Sequence, residues 1–265
     1  MRIASWNINS LRKRQDRLLT WLAETKPDVV CLQETKCTDE QFPDLALRSA
    51  GYHCAFHGQK SYNGVAILSK IALRDVRSAL CDEVVDPQAR VIAATVGDVR
   101  VFSVYAPNGQ AVGSSAYDYK LEWYARLRAC LEKSEYSAKH LVVCGDFNVA
   151  PRDEDVHDPV LWRGAIMCSD GERAAFQQLG DVGLTDTLRL HHAEAGLFSW
   201  WDYRMLAFPK NRGLRIDAIL ANASLAEHCT DAGVDREMRK GKEPSDHAPV
   251  WAEFALNISE LDVER

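Results

Sequence analysis

Short apolar runs alternate with amphipathic stretches along the 265 residues of the chain. Because buried strands are short and apolar, the runs predict strands at residues 2–6, 29–32, 64–69, 91–96, 99–105, 141–144, 215–220 and 249–254. Apolar positions at helical spacing predict a helix that Ser10 caps and Pro27 ends. Further helices are predicted over residues 39–50, 117–135 and 173–179. Two stretches between these elements, 151–169 and 202–212, are polar and irregular.

This order of elements predicts an α/β fold. Strands and helices alternate, but too few helices intervene for a parallel barrel. We therefore expect a single domain over residues 1–256, with mixed sheets inside, helices outside and the active loops at one end. Residues 257–265 are expected to form a C-terminal tail.

Composition narrows the class of protein. A hydrophobic fraction of 46% allows a substantial core, and a net charge of −6 argues against a uniformly basic coat for nucleic acid. A basic face around an acidic site stays possible. The eight cysteines form no Cys-x-x-Cys pair, so we expect reduced thiols in a cytoplasmic protein. We also expect no signal segment and no membrane span.

Five polar signatures each close an apolar run. They are Ser5-Trp6-Asn7-Ile8-Asn9, Leu32-Gln33-Glu34-Thr35-Lys36, Gly145-Asp146-Phe147-Asn148, Arg215-Ile216-Asp217 and Ser245-Asp246-His247. Loops at strand ends can bring side chains together from distant parts of a chain. The alternative is that these residues are unrelated caps and turns, but five such endings in one chain favour a shared site.

The acidic members of these signatures suit a hard divalent cation. Glu34, Asp146 and Asp246 offer carboxylate oxygens, and Asn7 and Asn148 offer amide oxygens. Mg²⁺ or Mn²⁺ accepts such ligands and keeps coordinated waters for the substrate. Zinc is less suitable, because the sequence groups no thiolates for it.

The same signatures supply groups for phosphodiester hydrolysis. Asp217 can orient His247 and raise its pKa, which makes the imidazole a cation for phosphate. Asp146 is a candidate general base or water-holding group, and Asn148 can orient that water. Tyr105 ends a strand before a Pro/Gly turn, so its hydroxyl is expected to point into the same site. The alternative is that the Tyr105 ring only covers the end of the sheet.

Several motifs together resemble the exonuclease III family of apurinic/apyrimidinic endonucleases, from Ile3 to Phe254. The motifs are Trp6-Asn7, Gln33-Glu34-Thr35-Lys36, Phe42-Pro43, Gly58-Gln59-Lys60, Tyr62-Asn63-Gly64-Val65-Ala66, Gly145-Asp146-Phe147-Asn148, Trp201-Asp202-Tyr203-Arg204, Arg212-Gly213-Leu214-Arg215-Ile216-Asp217 and Pro244-Ser245-Asp246-His247-Ala248-Pro249-Val250. The resemblance implies a four-layer α/β sandwich of two mixed sheets flanked by helices. It also implies Mg²⁺-dependent cleavage of DNA on the 5′ side of a damaged nucleotide, leaving a 3′-hydroxyl.

The resemblance also assigns roles to residues. It implies that Asn7 and Glu34 hold the metal, with Asp246 as a further ligand. The full set of candidate ligands is Asn7, Glu34, Asp146, Asn148, Asp246 and His247. The candidate catalytic residues are Tyr105, Asp146, Asn148, Asp217 and His247. The expected partner is double-stranded DNA with abasic sites or with blocked or recessed 3′ ends, bound by a monomer.

An aromatic and basic segment between Ser199 and Arg215 is the predicted DNA-contacting loop. Apolar wedges there can enter a groove while cations meet phosphates. The alternative is that Trp200 and Trp201 cover the core, which we expect for at least one of them. The candidate DNA contacts are Lys36, Trp200, Arg204, Met205 and Arg212.

Met167 departs from the family pattern, in which a small residue is common at this position. Its loop borders the pocket that the family uses for a flipped abasic nucleotide. Met167 is therefore a specificity candidate that favours trimming of 3′ ends over incision at internal abasic sites. Three alternatives remain: a superfamily phosphoesterase acting on lipids, a non-catalytic DNA-binding module, and an oxidoreductase, although the sequence has no Gly-rich dinucleotide fingerprint.

Overall fold

The structure is a computed structural model that describes residues 1–82, 84, 86–133 and 139–256. The predicted C-terminal tail, 257–265, and the predicted end of the third helix at Glu135 lie outside these residues.

Two mixed six-stranded sheets form the centre of the fold. The first sheet contains, in spatial order, β11 (Cys229–Val234), β12 (Val250–Phe254), β1 (Arg2–Asn7), β2 (Val29–Gln33), β4 (Val65–Ser69) and β3 (His53–His57). The second contains β5 (Leu73–Arg77), β6 (Val91–Val96), β7 (Val99–Tyr105), β8 (His140–Asp146), β10 (Asp217–Asn222) and β9 (Leu184–Asp186). The pairs β1–β2 and β7–β8 are parallel, and the other pairs are antiparallel.

Helices cover the outer faces of both sheets. They are α1 (Leu11–Thr25), α2 (Asp44–Ser49), α3 (Ser115–Leu131), α4 (Pro159–Trp162), α5 (Asp170–Asp181), α6 (Thr187–His191) and α7 (Ala223–Ala226). Among the described helices, none is both long and apolar enough to cross a membrane. The two main outer layers are formed by α1 and α2 on the first sheet and by α3 and α5 on the second.

The core explains why the strand sequences are apolar without alternation. In β2, Val29 and Cys31 point into the core between the two sheets, whereas Val30 and Leu32 pack under α1 and α2. Successive side chains of a strand face opposite sides, so a sheet covered on both faces needs apolar residues at every position. The predicted four-layer α/β sandwich is confirmed.

Several local predictions were wrong. The helix predicted over 39–50 is a 3₁₀ turn, Asp39–Gln41, followed by α2, because Pro43 separates the two. Ser10 precedes α1 with a φ of +85°, and its side chain makes no capping hydrogen bond within the described residues. Strands β3, β5, β9 and β11 were not predicted from the sequence. Strand β5 is mostly exposed and charged, so pairing with β6 rather than its own pattern makes it a strand.

The expectation of reduced cysteines throughout the chain was wrong for one pair. Cys81, in a loop, and Cys130, on α3, are joined by a disulfide across a sequence separation of 49. The other six cysteines are free. No spacing rule connects two cysteines so far apart, because their proximity depends on how α3 packs on the second sheet.

Candidate active site

The polar signatures converge because the strands that carry them end at the same edge of the sandwich. In the second sheet, parallel pairing sets Tyr105 beside Asp146, and antiparallel pairing sets Asp217 on the other side of Asp146. In the first sheet, Asn7 pairs with Gln33, immediately before Glu34. The two sheets face each other, so these strand ends form one acidic cleft.

Glycine at position 145 is required by the close approach of β7 and β8. A Cβ atom on Gly145 would lie 1.9 Å from the backbone oxygen of Val104. Any side chain there would push apart the two strands that present Tyr105 and Asp146. The glycine of the Gly145-Asp146-Phe147-Asn148 signature therefore has a packing reason.

Three candidate ligand groups lie together in the cleft. Ligand atoms of Glu34, Asp146 and His247 lie within 4.8 Å of one another. The Asn7 amide nitrogen donates to Glu34 Oε1 at 2.8 Å and to Asp146 Oδ2 at 2.9 Å, and Lys36 Nζ lies 2.6 Å from Glu34 Oε2. The carboxylates thus face a point that attracts positive charge. Their hard oxygen atoms fit Mg²⁺ or Mn²⁺.

The other predicted ligands are engaged elsewhere. Asp246 accepts hydrogen bonds from the Asn9 amide at 2.8 Å and from the Trp200 indole at 3.1 Å. The amide oxygen of Asn7 accepts from the Asn9 backbone, and that of Asn148 accepts from the Asn108 side chain. Of the predicted carboxylate ligands, Glu34 and Asp146 therefore belong to the cluster of possible ligand atoms in the cleft, whereas Asp246 is turned toward Asn9 and Trp200.

His247 and Asp217 form the buried pair that the sequence predicted. His247 Nδ1 lies 2.8 Å from Asp217 Oδ2, and Ser199 Oγ donates to the same oxygen at 2.6 Å. Burial alone would lower the pKa of His247, but Asp217 and Asp146 outweigh burial and raise this pKa to about 10. The raised pKa favours the imidazolium form of His247, which suits contact with phosphate. In its neutral form the same ring lies among the candidate metal ligands.

Asp146 lies at the centre of the cleft. Its Oδ2 is 3.7 Å from His247 Nε2, and its Oδ1 accepts from the Asn148 backbone at 2.9 Å. Burial raises the pKa of Asp146 to about 7, although the neighbouring His247 acts in the opposite direction. A carboxyl group with this pKa can accept a proton near neutral pH.

Tyr105 faces the same cleft, as predicted. Burial raises its pKa well above the ordinary value, and the negative charges of Glu34 and Asp146 raise it further. The guanidinium of Arg90 lies over the ring at 4.9 Å from the ring centroid. The phenol therefore stays protonated and can donate a hydrogen bond.

Comparison with known proteins agrees with this geometry. The model of the Endonuclease/Exonuclease/phosphatase family matches residues 4–247. The chain belongs to this family. Exodeoxyribonuclease III from Haemophilus influenzae is 39% identical over 266 residues, covering 96% of this chain and 100% of the relative. The predicted resemblance to the exonuclease III family is confirmed.

Two solved structures have folds closely similar to that of this chain. The 3′ phosphatase NExo from Neisseria, bound to a product DNA hairpin, has a TM-score of 0.94 and 46% identity, covering 97% of this chain and 100% of that chain. An AP endonuclease from Archaeoglobus fulgidus has a TM-score of 0.92 and 38% identity, covering 97% and 100%.

Met167 lies in a small apolar cluster beside the cleft. It packs with Trp162 and Trp200 against a buried group that includes Leu214. Its backbone has a φ of +68°, in the left-handed region that favours glycine. The Met167 backbone donates to Glu172 Oε1 at 3.0 Å and accepts from the Ala150 backbone at 2.8 Å. Met167 and Trp200 therefore pack against the same buried cluster.

The predicted DNA-contacting residues lie in three different environments. Arg204, Met205 and Arg212 are exposed on the irregular loop after Trp201, and Met205 is 79% exposed. Trp200 is half-buried against the cluster that Met167 also contacts, whereas Trp201 is fully buried, which confirms that one of the two tryptophans covers the core. Lys36 is bound to Glu34 and to the Asn9 side chain.

Arg215 is not available to DNA, contrary to its place among the predicted basic residues of the loop. It is buried and binds Asp155 and Asp186. It directly precedes β10 and uses Nε and Nη2 to bind the buried Asp155 carboxylate at 2.6 and 3.1 Å.

Several residues that were not predicted from the sequence position the site. Asn9 joins Asp246 to Lys36, and Ser199 fixes Asp217. Ser245 Oγ donates to the Asn7 backbone at 2.7 Å, and Trp6 Nε1 donates to the His247 backbone at 3.2 Å. Asn9 and Ser245 belong to two of the five polar signatures. Their position in the sequence beside candidate site residues could have indicated that they support the site.

Proposed function

We propose that this protein is a Mg²⁺-dependent DNA phosphodiesterase of base-excision repair, a hydrolase that removes blocking groups and nucleotides from 3′ ends. The observation that carries the preference for 3′ ends is the Met167 side chain, which packs against the same buried cluster as Trp200. Its loop borders the pocket where the family admits a flipped nucleotide. The likeness to NExo, described as a 3′ phosphatase, supports the same preference.

The protein's own residues supply the chemistry around the scissile phosphate. Asp146 accepts a proton from the attacking water or holds that water in line, and Asn148 orients it. The His247 cation and the Tyr105 phenol donate to the phosphate oxygens, whose negative charge grows in the transition state. A divalent cation held by Glu34 and Asp146, when bound, would screen the charge of the phosphate.

The loop that carries Arg204, Met205 and Arg212 is proposed to grip the duplex. Cations on an exposed loop meet phosphates, and Met205 can wedge into a groove. We further propose that the protein acts as a monomer formed by one domain over 1–256, in the cytoplasm and associated with the nucleoid.

Incision at internal abasic sites is the second candidate function. It is favoured by the likeness to the Archaeoglobus fulgidus AP endonuclease, which shares 38% identity over nearly the whole chain. A methionine side chain is flexible and can move aside. Incision at abasic sites therefore requires that Met167 moves to admit a flipped nucleotide, whereas processing of 3′ ends does not.

Two end-labelled duplexes test the proposal, with Mg²⁺ and with an EDTA control. One carries an internal abasic analogue and the other a 3′-phosphate at a recessed end. We expect metal-dependent removal of the 3′-phosphate and weak incision of the abasic duplex. Strong incision of the abasic duplex would establish the second function, and turnover of neither would contradict both.

The variant Met167→Gly tests the role of the side chain. Glycine removes the methionine and relieves the left-handed backbone, so abasic incision should rise relative to 3′-phosphate removal. Met205→Gly is the matched control, because Met205 also has a positive φ, of +55°. It lies on the exposed loop and should weaken both activities alike. An unchanged ratio in Met167→Gly would contradict the assignment of specificity to Met167.

A further inference from the structure

A buried ion pair connects the loop of Asn148 with the loop of Met167. Lys120 on α3 and Glu172 on α5 bind each other, and both side chains are fully buried. Helix α3 is otherwise an apolar support for the second sheet, with Tyr117, Tyr124 and Leu127 on its buried side. A lysine among these buried apolar residues requires an explanation, because transferring the charged groups of Lys120 and Glu172 from water to the protein interior costs free energy.

Lys120 directs its remaining donors at the backbone of the active-site loops. Its Nζ donates to the Asn148 backbone oxygen at 2.6 Å and to the Asn108 backbone oxygen at 3.2 Å. The Asn108 side chain in turn donates to Asn148 Oδ1 at 3.2 Å. An ammonium group has three donors, so Glu172 and these two carbonyls use all of them. Lys120 therefore fixes Asn148 from below without reaching the cleft.

Asn148 needs such a support because of its backbone conformation. Its φ is +50°, in the left-handed region that costs a non-glycine residue free energy. The conformation aims the Asn148 amide at the Ala106 backbone oxygen, to which it donates at 2.9 Å, and brings the Asn148 N–H to Asp146. The loop keeps this left-handed conformation at Asn148 only if surrounding contacts stabilise it against other backbone conformations.

Glu172 holds the second loop in the same way. Its Oε1 accepts from the Met167 backbone at 3.0 Å, and its Oε2 accepts from the Ser169 backbone at 3.1 Å and from Ser169 Oγ at 2.6 Å. Ser169 and Glu172 also form the capping box of α5. The carboxylate thus fixes residues 167–169 on the end of the helix.

We propose that Lys120 is a positioning residue for the reaction, which sets Asn148 directly and the Met167 loop through Glu172. This inference rests on the proposed phosphodiesterase function, in which Asn148 orients water. An apolar pair of similar volume can be as stable as a buried ion pair. It cannot supply donors to two backbone carbonyls of the site, which is why a lysine stands here.

The test uses the variants Lys120→Met and Lys120→Met/Glu172→Gln, with Leu127→Ala as a control on the same helix. Leu127 is fully buried in the outer core of the second sheet and has no contact with the ion pair among the hydrogen bonds and salt bridges of the described residues. For each variant we measure kcat and KM on the better of the two duplexes, the Kd for product duplex, and the Tm.

Lys120→Met leaves Glu172 unpaired and two carbonyls without a donor, so both Tm and kcat should fall. The double variant removes the buried charge, so its Tm should recover toward the wild type while its kcat stays about tenfold or more below the wild type, because Asn148 is displaced. Kd and KM should stay within about threefold, since neither residue reaches the DNA-facing surface. Leu127→Ala should lower Tm with kcat nearly unchanged.

Recovery of kcat together with Tm in the double variant would overturn the proposal, because the pair would then serve stability alone. A kcat in Leu127→Ala that falls in proportion to Tm would overturn it as well. Wild-type protein that turns over neither duplex would contradict the proposed function, whereas active wild type with unaffected variants would contradict this inference alone.

Discussion

His247 Nδ1 lies 2.8 Å from Asp217 Oδ2, and both side chains are almost completely buried. The two residues come from different signatures, on β10 and in the loop before β12, and Ser199 fixes the carboxylate from a third segment. This pair favours the charged form of His247 at neutral pH, because the carboxylates of Asp217 and Asp146 stabilise it.

Replacing Asp217 by asparagine should lower the pKa of His247 by at least about one unit, because an opposite charge in contact is lost. NMR titration of the histidine ring protons of the metal-free protein measures this. His140 serves as the internal reference, since burial lowers its pKa and it lies at the other end of β8. An unchanged His247 pKa in Asp217→Asn would show that the pair does not hold the charge.

The same pair makes stability depend on pH. The folded pKa of His247, about 10, lies above the value of about 6.5 expected for an unfolded chain, so the folded state binds the proton more tightly. The resulting stabilisation is fully present below about pH 6.5 and is lost as the pH rises through about 10. Urea unfolding at pH 7 and pH 10 should show a larger loss for the wild type than for Asp217→Asn.

Glu34→Gln should weaken Mn²⁺ binding by about tenfold or more, because a carboxylate that faces the cation site becomes a neutral amide. Isothermal titration calorimetry with the apo-protein measures this. Asp246→Asn is the comparison, since Asp246 points at Asn9 and Trp200 and its loss should have a smaller effect. If Asp246→Asn weakened binding more than Glu34→Gln, the cation would sit on the Asp246 side of the cleft.

Arg212→Ala should weaken DNA binding similarly for all sequences and reduce the slope of log K against log salt by about one, as expected for one lost phosphate contact. Fluorescence anisotropy at several salt concentrations measures the slope. Arg74→Ala is the matched control. Arg74 is exposed and donates to the backbone of Gly97, in the hairpin at the opposite end of β7 from Tyr105. Equal slopes for the two variants would remove Arg212 from the interface.

Arg215→Met should lower the free energy of unfolding by about 3 kcal/mol, because it removes the buried guanidinium that binds the buried Asp155 and the partly buried Asp186. Arg189 then remains as the cation that binds Asp155. Arg128→Gln breaks the exposed pair between Arg128 and Glu132 on α3 and should cost less than about 1 kcal/mol. Denaturant unfolding compares the two. Similar losses would mean that the Arg215 network is no more important than a surface pair.

Some of the buried charged residues that position the site were recognisable in the sequence, but their partners were not. Lys120 falls on the same stripe as Tyr117, Tyr124 and Leu127, three and four positions apart, so a charged residue stood at a buried helical position. The partner could not be inferred, because Glu172 is far along the chain and belongs to a capping box that explains it locally. Arg215 was read as a surface cation for the same reason: its partners are distant.

The apolar pattern of the sequence was enough to predict eight of the twelve strands in the described residues, the long helix α3 and most of the residues that meet in the cleft. An apolar run indicates a strand that is buried on both faces of a sheet, and a polar residue at the end of such a run indicates a candidate site residue. Both patterns can be recognised within a few consecutive residues. Tertiary structure alone decided that Asn7 turns its nitrogen to Glu34 and Asp146, that Asp246 binds Asn9 and Trp200, and that Cys81 meets Cys130. Those outcomes depend on distances between segments that lie far apart in the chain, and such distances exist only once the two sheets have packed together.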